Sequence, residues 1–126
     1  MAINILIVDD SAVMRNMIIR TITLTGIEIG DIYEAGNGKK GLEMLDDKWV
    51  DLLFIDVNMP IMDGMEMLQL IREKPELKDL PVLIVSTESN PDRIKTIDRQ
   101  GAGFVHKPFT PEILREKMEL MLEEKV

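Results

Sequence analysis

The sequence Leu52-Leu53-Phe54-Ile55-Asp56 consists of four apolar residues followed by one acid, and it decides the fold. A continuous apolar run of this length is typical of a β-strand that is covered on both faces, because the side chains on both sides of such a strand are buried. Two further runs have the same form, Ile5-Leu6-Ile7-Val8 and Val82-Leu83-Ile84-Val85. The three runs therefore predict the central strands of a parallel sheet.

Two weaker runs, 32–35 and 104–105, predict edge strands, because the first contains Glu34 and the second is short. Between the five runs, apolar residues recur at the three- and four-residue steps of amphipathic helices. These helical stripes are Val13/Met17 with Met14/Ile18/Ile22, Leu42/Leu45, Leu68/Ile71 and Leu114/Met118/Met121/Leu122. The alternation predicts an α/β fold of five βα units, a parallel sheet with helices on both faces, in a single domain over residues 1–126.

The ends of the helices are marked by capping residues and glycines. We expect helices to begin after Asp63, Asn90 and Thr110, because Asp, Asn and Thr side chains accept hydrogen bonds from the first free amides of a helix. We expect Gly101 and Gly103 to end the fourth helix.

Composition excludes several classes of function. The 126 residues carry 15 Lys and Arg against 23 Asp and Glu, a net charge of −8 without a basic run, which disfavours a nucleic-acid partner. The absence of cysteine excludes disulfides and thiolate metal sites. No apolar stretch approaches the roughly 18 residues of a membrane span, and the first residues lack a basic leader. We therefore expect a soluble, cytoplasmic protein with no membrane partner.

Polar residues follow the strands at the points where the apolar runs end. Asp9 and Asp10 follow the first run, Asp56 follows the third, Ser86 follows the fourth, and Lys107 comes after the fifth. The carboxyl ends of parallel strands meet at one edge of a sheet, where open α/β sheets bind their ligands. Any one of these residues alone is more often a turn or capping residue, but their joint placement predicts a site.

Three carboxylates in one crevice repel one another unless a cation compensates them. All-oxygen ligands favour Mg²⁺, with Mn²⁺ as a chemical substitute. Lys107 and the hydroxyl of Ser86 add the groups that bind the oxygens of a transferring phosphoryl group, and one Asp is a candidate nucleophile that forms an aspartyl-phosphate.

Four segments together resemble the receiver domains of two-component response regulators, and among them most closely the stand-alone chemotaxis regulators. They are Asp9-Asp10-Ser11, residues 56–64 (DVNMPIMDG), Ser86-Thr87-Glu88 and Lys107-Pro108-Phe109. The resemblance covers essentially the whole chain. It implies a doubly wound, flavodoxin-like three-layer sandwich with strand order 2-1-3-4-5, and no effector domain.

The resemblance also implies a role for each site residue. Asp56 is expected to accept the phosphoryl group, while Asp9, Asp10 and the backbone carbonyl of Asn58 hold Mg²⁺ together with Asp56. Lys107 is expected to bind the phosphoryl oxygens.

Further implied roles concern the switch and the loops. Ser86 and Phe104 are the expected switch residues, with Ser86 also binding the phosphoryl group, and Asn58 and Glu88 are expected to influence its lifetime. The Lys107–Pro108 bond is expected to be cis, and Gly64 to supply backbone freedom after the acceptor loop.

The function that follows is a phosphoacceptor switch, not an enzyme with an external product. Its expected donor is a sensor histidine kinase or a histidine phosphotransfer protein, and its expected output partner binds a monomer on the fourth helix, fifth strand and fifth helix, in chemotaxis or another phosphorelay. A Mg²⁺-dependent phosphohydrolase is an alternative, although Asn58 cannot serve as its second acid or base. A flavin- or nucleotide-binding module is weaker, because no glycine-rich phosphate loop follows the first strand.

Overall fold

Five strands and five helices alternate along the chain in a computed structural model that describes residues 2–57, 59, 62–87 and 90–123. The elements are β1 (Ile3–Val8), α1 (Ala12–Thr23), β2 (Ile29–Ala35), α2 (Gly38–Asp47), β3 (Leu52–Asp56), α3 (Gly64–Glu73), β4 (Val82–Ser86), α4 (Pro91–Arg99), β5 (Gly103–His106) and α5 (Pro111–Glu123). The predicted alternation is confirmed.

The sheet is parallel, with strand order β2-β1-β3-β4-β5. The three continuous apolar runs form its central strands and the two weaker runs its edges, as predicted. Because β2 lies on one side of β1 and β3 on the other, the winding changes direction between β1 and β3. This change opens a crevice at the carboxyl ends of those two strands, which is the usual ligand position in such a sheet.

Helices cover both faces of the sheet and bury a separate core on each. On one face, α1 and α5 pack on alternate strand residues, with Ile18, Phe54, Leu114 and Met118 buried between them. On the other face, α2, α3 and α4 contribute Leu45, Met67, Ile71 and Ile97 to the second core. None of the helices in the described ranges is long and apolar enough to cross a membrane.

The apolar stripe predicted for α1 is only partly correct. Ile18 and Ile22 are buried, but Val13 is 75% exposed and Met17 is 52% exposed. At 3.6 residues per turn, positions 13 and 17 lie beside the column 14, 18 and 22, and that column faces the sheet and α5. Val13 and Met17 therefore leave an apolar strip on the surface.

The helix ends follow the predicted caps, with one exception. The side chains of Asp63 and Asn90 accept hydrogen bonds from the amides of the first turns of α3 and α4, and the Thr110 hydroxyl accepts one from the first turn of α5. Gly101 follows α4 with a φ of +73°, the left-handed conformation that glycine adopts most readily. The prediction for Gly103 was wrong, because Gly103 is the first residue of β5.

Candidate functional site

Three acids meet at the carboxyl edge of the sheet. Asp9 directly follows β1 and is 2% exposed, Asp10 is exposed, and Asp56 is the last residue of β3. One carboxylate oxygen from each lies within 4.8 Å of the other two. The acids come from the two strands that flank the crevice. The sheet topology therefore brings Asp56 close to Asp9 and Asp10, although they are far apart in the sequence.

Asp9 is the most desolvated of the three acids. Burial raises its pKa, the hydrogen bond from the Ser11 amide lowers it, and the nearby charge of Asp56 raises it further. Asp9 Oδ1 accepts that bond at 2.9 Å. Asp9 Oδ2 is buried and has no hydrogen-bond partner within the described residues. A buried carboxylate oxygen without a partner is costly, since nothing replaces the water it has lost.

The residues fit a small divalent cation. A cation in contact with Asp9 Oδ2 would satisfy the orphaned oxygen and reduce the repulsion among the three acids. The ligand set is entirely oxygen, with exposed Asp10 at its open side, and this set suits Mg²⁺, which keeps several of its waters. Asp9, Asp10 and Asp56 are thus the side chains that would hold the ion.

Lys107 brings a positive charge to the same edge. Its Nζ lies 3.9 Å from Asp56 Oδ1, and its side chain is 17% exposed. The Lys107 amide donates to the Ser86 carbonyl at 2.9 Å, which ties the loop after β5 to the end of β4. The Lys107–Pro108 peptide is cis, as expected from the resemblance. The separation between Nζ and Asp56 exceeds a hydrogen bond, so the pair is an ion pair without direct donation.

Gly64 holds the first turn of α3 against the backbone of Asp56. A Cβ at Gly64 would lie 2.4 Å from the carbonyl oxygen of Asp56 and 2.8 Å from the Cα of Val57. The Gly64 amide donates to the Val57 carbonyl at 2.9 Å. Glycine is required here for space, and not for the backbone freedom expected from the sequence, because Gly64 is not among the positive-φ glycines.

Of the other predicted site residues, two lie on β4 and β5 and two lie outside the described residues. Ser86 ends β4 and is buried, one strand away from Asp56. Phe104 lies on β5 opposite Ile84, outside the acidic cluster, with its ring centroid 6.2 Å from that of His106. Asn58 and Glu88 lie outside the described residues.

Sequence reasoning assigned no role to two residues beside Asp9. Ser11 caps α1 and donates its amide to Asp9. Arg15 donates from Nη1 to the Asp9 carbonyl at 2.5 Å and from Nε to Glu34 Oε1 at 2.9 Å. The position of Arg15 was a usable signal, because helical side chains point toward the N-terminus and a long basic residue early in α1 reaches the preceding turn.

A doubly wound parallel sheet with three acids and a lysine at its carboxyl edge is typical of the receiver class of signalling domains. The chain belongs to the response regulator receiver domain family, whose model matches residues 5–119. It is 40% identical over 120 residues to the chemotaxis protein CheY of Pseudomonas aeruginosa, covering 94% of this chain and 95% of that one. It is 35% identical over 120 residues to CheY1 of Helicobacter pylori, with the same coverage.

The fold is shared with solved structures of such proteins. CheY4 of Vibrio cholerae superposes with a TM-score of 0.84 at 32% identity, covering 97% of this chain and all of that chain. CheY-like receiver domains are signal switches, not enzymes in the usual sense; they take phosphoryl groups from histidine kinases, act on protein targets, and bind Mg²⁺ at an acidic pocket. The three clustered acids match such a pocket.

Proposed function

We propose that this chain is a phosphoacceptor switch in which Asp56 receives a phosphoryl group from a phosphohistidine on a sensor histidine kinase or a histidine phosphotransfer protein. One observation carries the proposal. The Asp56 carboxylate ends a central strand with oxygens of Asp9 and Asp10 within 4.8 Å and the ammonium of Lys107 at 3.9 Å. One edge of the sheet thus combines a nucleophile, carboxylate oxygens that can bind a metal ion, and an ammonium group for the transferred phosphoryl group.

The proposed chemistry is a transfer between two protein side chains. An Asp56 oxygen attacks phosphorus, an O–P bond forms, and the P–N bond to the donor imidazole breaks. Its electron pair stays on the ring nitrogen, and the ring leaves as neutral imidazole when its other nitrogen carries a proton. Asp9, Asp10, Asp56 and, by the family resemblance, the Asn58 carbonyl would hold Mg²⁺, which when bound would supply positive charge for the phosphoryl oxygens; Mn²⁺ is the proposed substitute. Lys107 donates to the same oxygens.

The proposed output is a change of surface. Ser86 binds the new phosphoryl group through its hydroxyl and draws its loop toward the site, and the ring of Phe104 repacks. Because Phe104 has no hydroxyl, the switch works through ring packing. The reshaped surface consists of α4, β5 and α5 and binds the output protein. Attack of water on the phosphorus breaks its bond to the Asp56 oxygen, releases inorganic phosphate and resets the switch, at a rate that Asn58 and Glu88 influence.

We assign the process to chemotaxis signalling, on the support of relatives that are named chemotaxis proteins at 35–40% identity. In this proposal the chain acts as one receiver unit over residues 1–126, as a monomer, in the cytoplasm with its kinase.

Intact-mass spectrometry after incubation with Mg²⁺ and acetyl phosphate tests the proposal. In this assay acetate is the leaving group in place of imidazole. We expect a single phosphoryl adduct on the wild type and none on Asp56→Asn. The matched control is Asp47→Asn, which removes an exposed acid at the end of α2 and is expected to form the adduct normally.

The outcomes separate the alternatives. No adduct with any donor contradicts the switch, as does an adduct that persists in Asp56→Asn. Steady release of phosphate from many organic phosphates, without a stable adduct, identifies a phosphohydrolase instead.

A further inference from the structure

Arg15 lies beside the acidic site but has no part in the proposed chemistry. Its side chain is 18% exposed and makes two bonds through different nitrogens. Nη1 donates to the main-chain carbonyl of Asp9, and Nε donates to the carboxylate of Glu34 on β2. The guanidinium thus joins the first turns of α1 to the ends of two neighbouring strands.

Both main-chain polar groups of Asp9 are therefore fixed. The Asp9 amide donates to the Ala35 carbonyl at 3.1 Å, and its carbonyl accepts from Arg15. That carbonyl belongs to the peptide between Asp9 and Asp10, so its direction determines where the backbone of Asp10 leaves the sheet. Because the guanidinium is planar and its donors are fixed relative to one another, Glu34 sets the orientation in which Arg15 meets the carbonyl.

We propose that Arg15, oriented by Glu34, is a positioning residue for the turn that carries Asp9 and Asp10, and that it sets the affinity of the site for Mg²⁺. The inference rests on the proposed function for its metal. The residue acts through the backbone and contacts neither the phosphoryl group nor the ion.

A purely electrostatic role predicts the opposite sign. Arg15 places a positive charge close to three acids, so removing a mere charge would tighten binding of a cation. Removing a positioning residue weakens binding, because the carboxylates are then no longer held together. Glu34→Gln alone does not discriminate, since both roles predict weaker binding when a negative charge is lost.

The test is Mg²⁺ binding by isothermal titration calorimetry, with no phosphodonor present. We expect Arg15→Met to bind Mg²⁺ about tenfold more weakly than the wild type. A loss of this size is typical when a residue that orients metal ligands is removed. Arg15→Lys keeps the charge but not the two-donor geometry, and we expect it to bind weakly as well. The double variant Arg15→Met/Glu34→Gln keeps the net charge, and we expect it to be as weak as Arg15→Met. Arg20→Met, at the exposed end of the same helix, is the matched control and should bind normally or slightly more tightly.

Hydrogen exchange of the Ser11 amide, measured without Mg²⁺, reports the position of the turn directly. This amide donates to Asp9 Oδ1, so its exchange should accelerate in Arg15→Met and not in Arg20→Met. Thermal unfolding verifies that each variant folds, and Arg15→Lys, which keeps the positive charge, carries the test if Arg15→Met does not fold.

Binding at wild-type strength or tighter in Arg15→Met, or unchanged exchange at Ser11, overturns the inference. A double variant that binds like the wild type also overturns it and assigns the effect to charge. Failure of the wild type to form the Asp56 adduct counts against the proposed function instead, and exchange at Ser11 still decides the role of Arg15.

Discussion

Asp9 is a carboxylate with one oxygen bonded and the other buried without a partner among the described residues. In the metal-free protein this arrangement opposes folding, because ionising Asp9 requires a charge in a partly dry site next to Asp56. The proposed function needs the same feature, since a poorly solvated carboxylate gains most from a bound cation. In the proposed function, Asp9 therefore lowers the stability of the metal-free fold and in return strengthens metal binding.

Asp9→Asn should stabilise the metal-free protein in a pH-dependent way. The folded-state pKa of Asp9 is raised above its ordinary value of 3.8, so the folded state holds the proton more tightly than the unfolded state. The stabilisation that comes from this tighter proton binding is complete at pH values below the ordinary pKa of 3.8. It is lost as the pH rises through the raised pKa of the folded state. In EDTA, we expect the unfolding free energy of Asp9→Asn to exceed that of the wild type by roughly 1 kcal/mol at neutral pH, with the margin shrinking toward acid pH.

Urea denaturation at a series of pH values measures this margin. Asp47→Asn serves as the control, because its carboxyl is 76% exposed. A margin for Asp9→Asn that does not change with pH would contradict the burial argument.

The acids and Lys107 were predictable because their residue types stand out at the ends of apolar strands, and parallel strands align those ends. The bond from Arg15 to Glu34 was not predictable in the same way. Its partner Glu34 is on another strand, and only the register of β1 with β2, in which Ile7 lies opposite Glu34, brings the two within reach.

At the level of elements, the site depends on how closely α3 begins against the end of β3. The cap formed by Asp63 fixes where the helix starts, with its side chain accepting from the Glu66 amide at 2.9 Å. Gly64 then lets the first turn approach the Asp56 backbone without a side chain between them. The backbone of Asp56, the proposed acceptor, is thus packed against the helix that follows it as well as bonded within its strand.

Gly64→Ala should disturb both stability and phosphorylation. The new Cβ meets backbone atoms, which cannot move aside as a flexible side chain can, so α3 or Asp56 must shift. We expect a loss of about 2 kcal/mol in unfolding free energy, the usual scale of overpacking, and a lower rate of adduct formation with acetyl phosphate. Gly36→Ala is the control, because among the described residues its Cβ would meet no atom closer than Arg15 Nη1, at 3.9 Å. Equal losses in the two variants would refute the close-approach argument.

Apolar periodicity and capping residues predicted the helices and strands, but they did not predict the hydrogen bonds that hold these elements together. Arg72 on α3 donates to the carbonyls of Gln100 at 2.6 Å and Leu80 at 2.8 Å, and so fixes the end of α4 beside the loop before β4. Burial lowers the pKa of its guanidinium. No sequence pattern marks Arg72 for this role, because its acceptors are backbone groups that every residue carries.

At the scale of the whole molecule, the net charge of −8 gives divalent cations two ways to act. They can screen the general excess of acid, or they can bind at the cluster of Asp9, Asp10 and Asp56. Screening is weak, gradual and indifferent to any single carboxylate. Site binding is saturable and stabilises the fold by mass action, since the unfolded chain does not hold the three acids together.

Mg²⁺ should therefore raise the unfolding temperature in a saturable way that depends on the site. At a concentration one hundred times the Kd, mass action contributes about 2.7 kcal/mol, or about 10 °C for a domain of this size. Differential scanning fluorimetry over a Mg²⁺ series at constant ionic strength measures this shift. We expect Asp47→Asn to shift like the wild type and Asp56→Asn to lose most of the shift, although each variant removes one negative charge. Equal shifts in both variants would mean that the ion acts through the general charge of the molecule, because only a site built from these particular acids distinguishes the loss of Asp56 from the loss of Asp47.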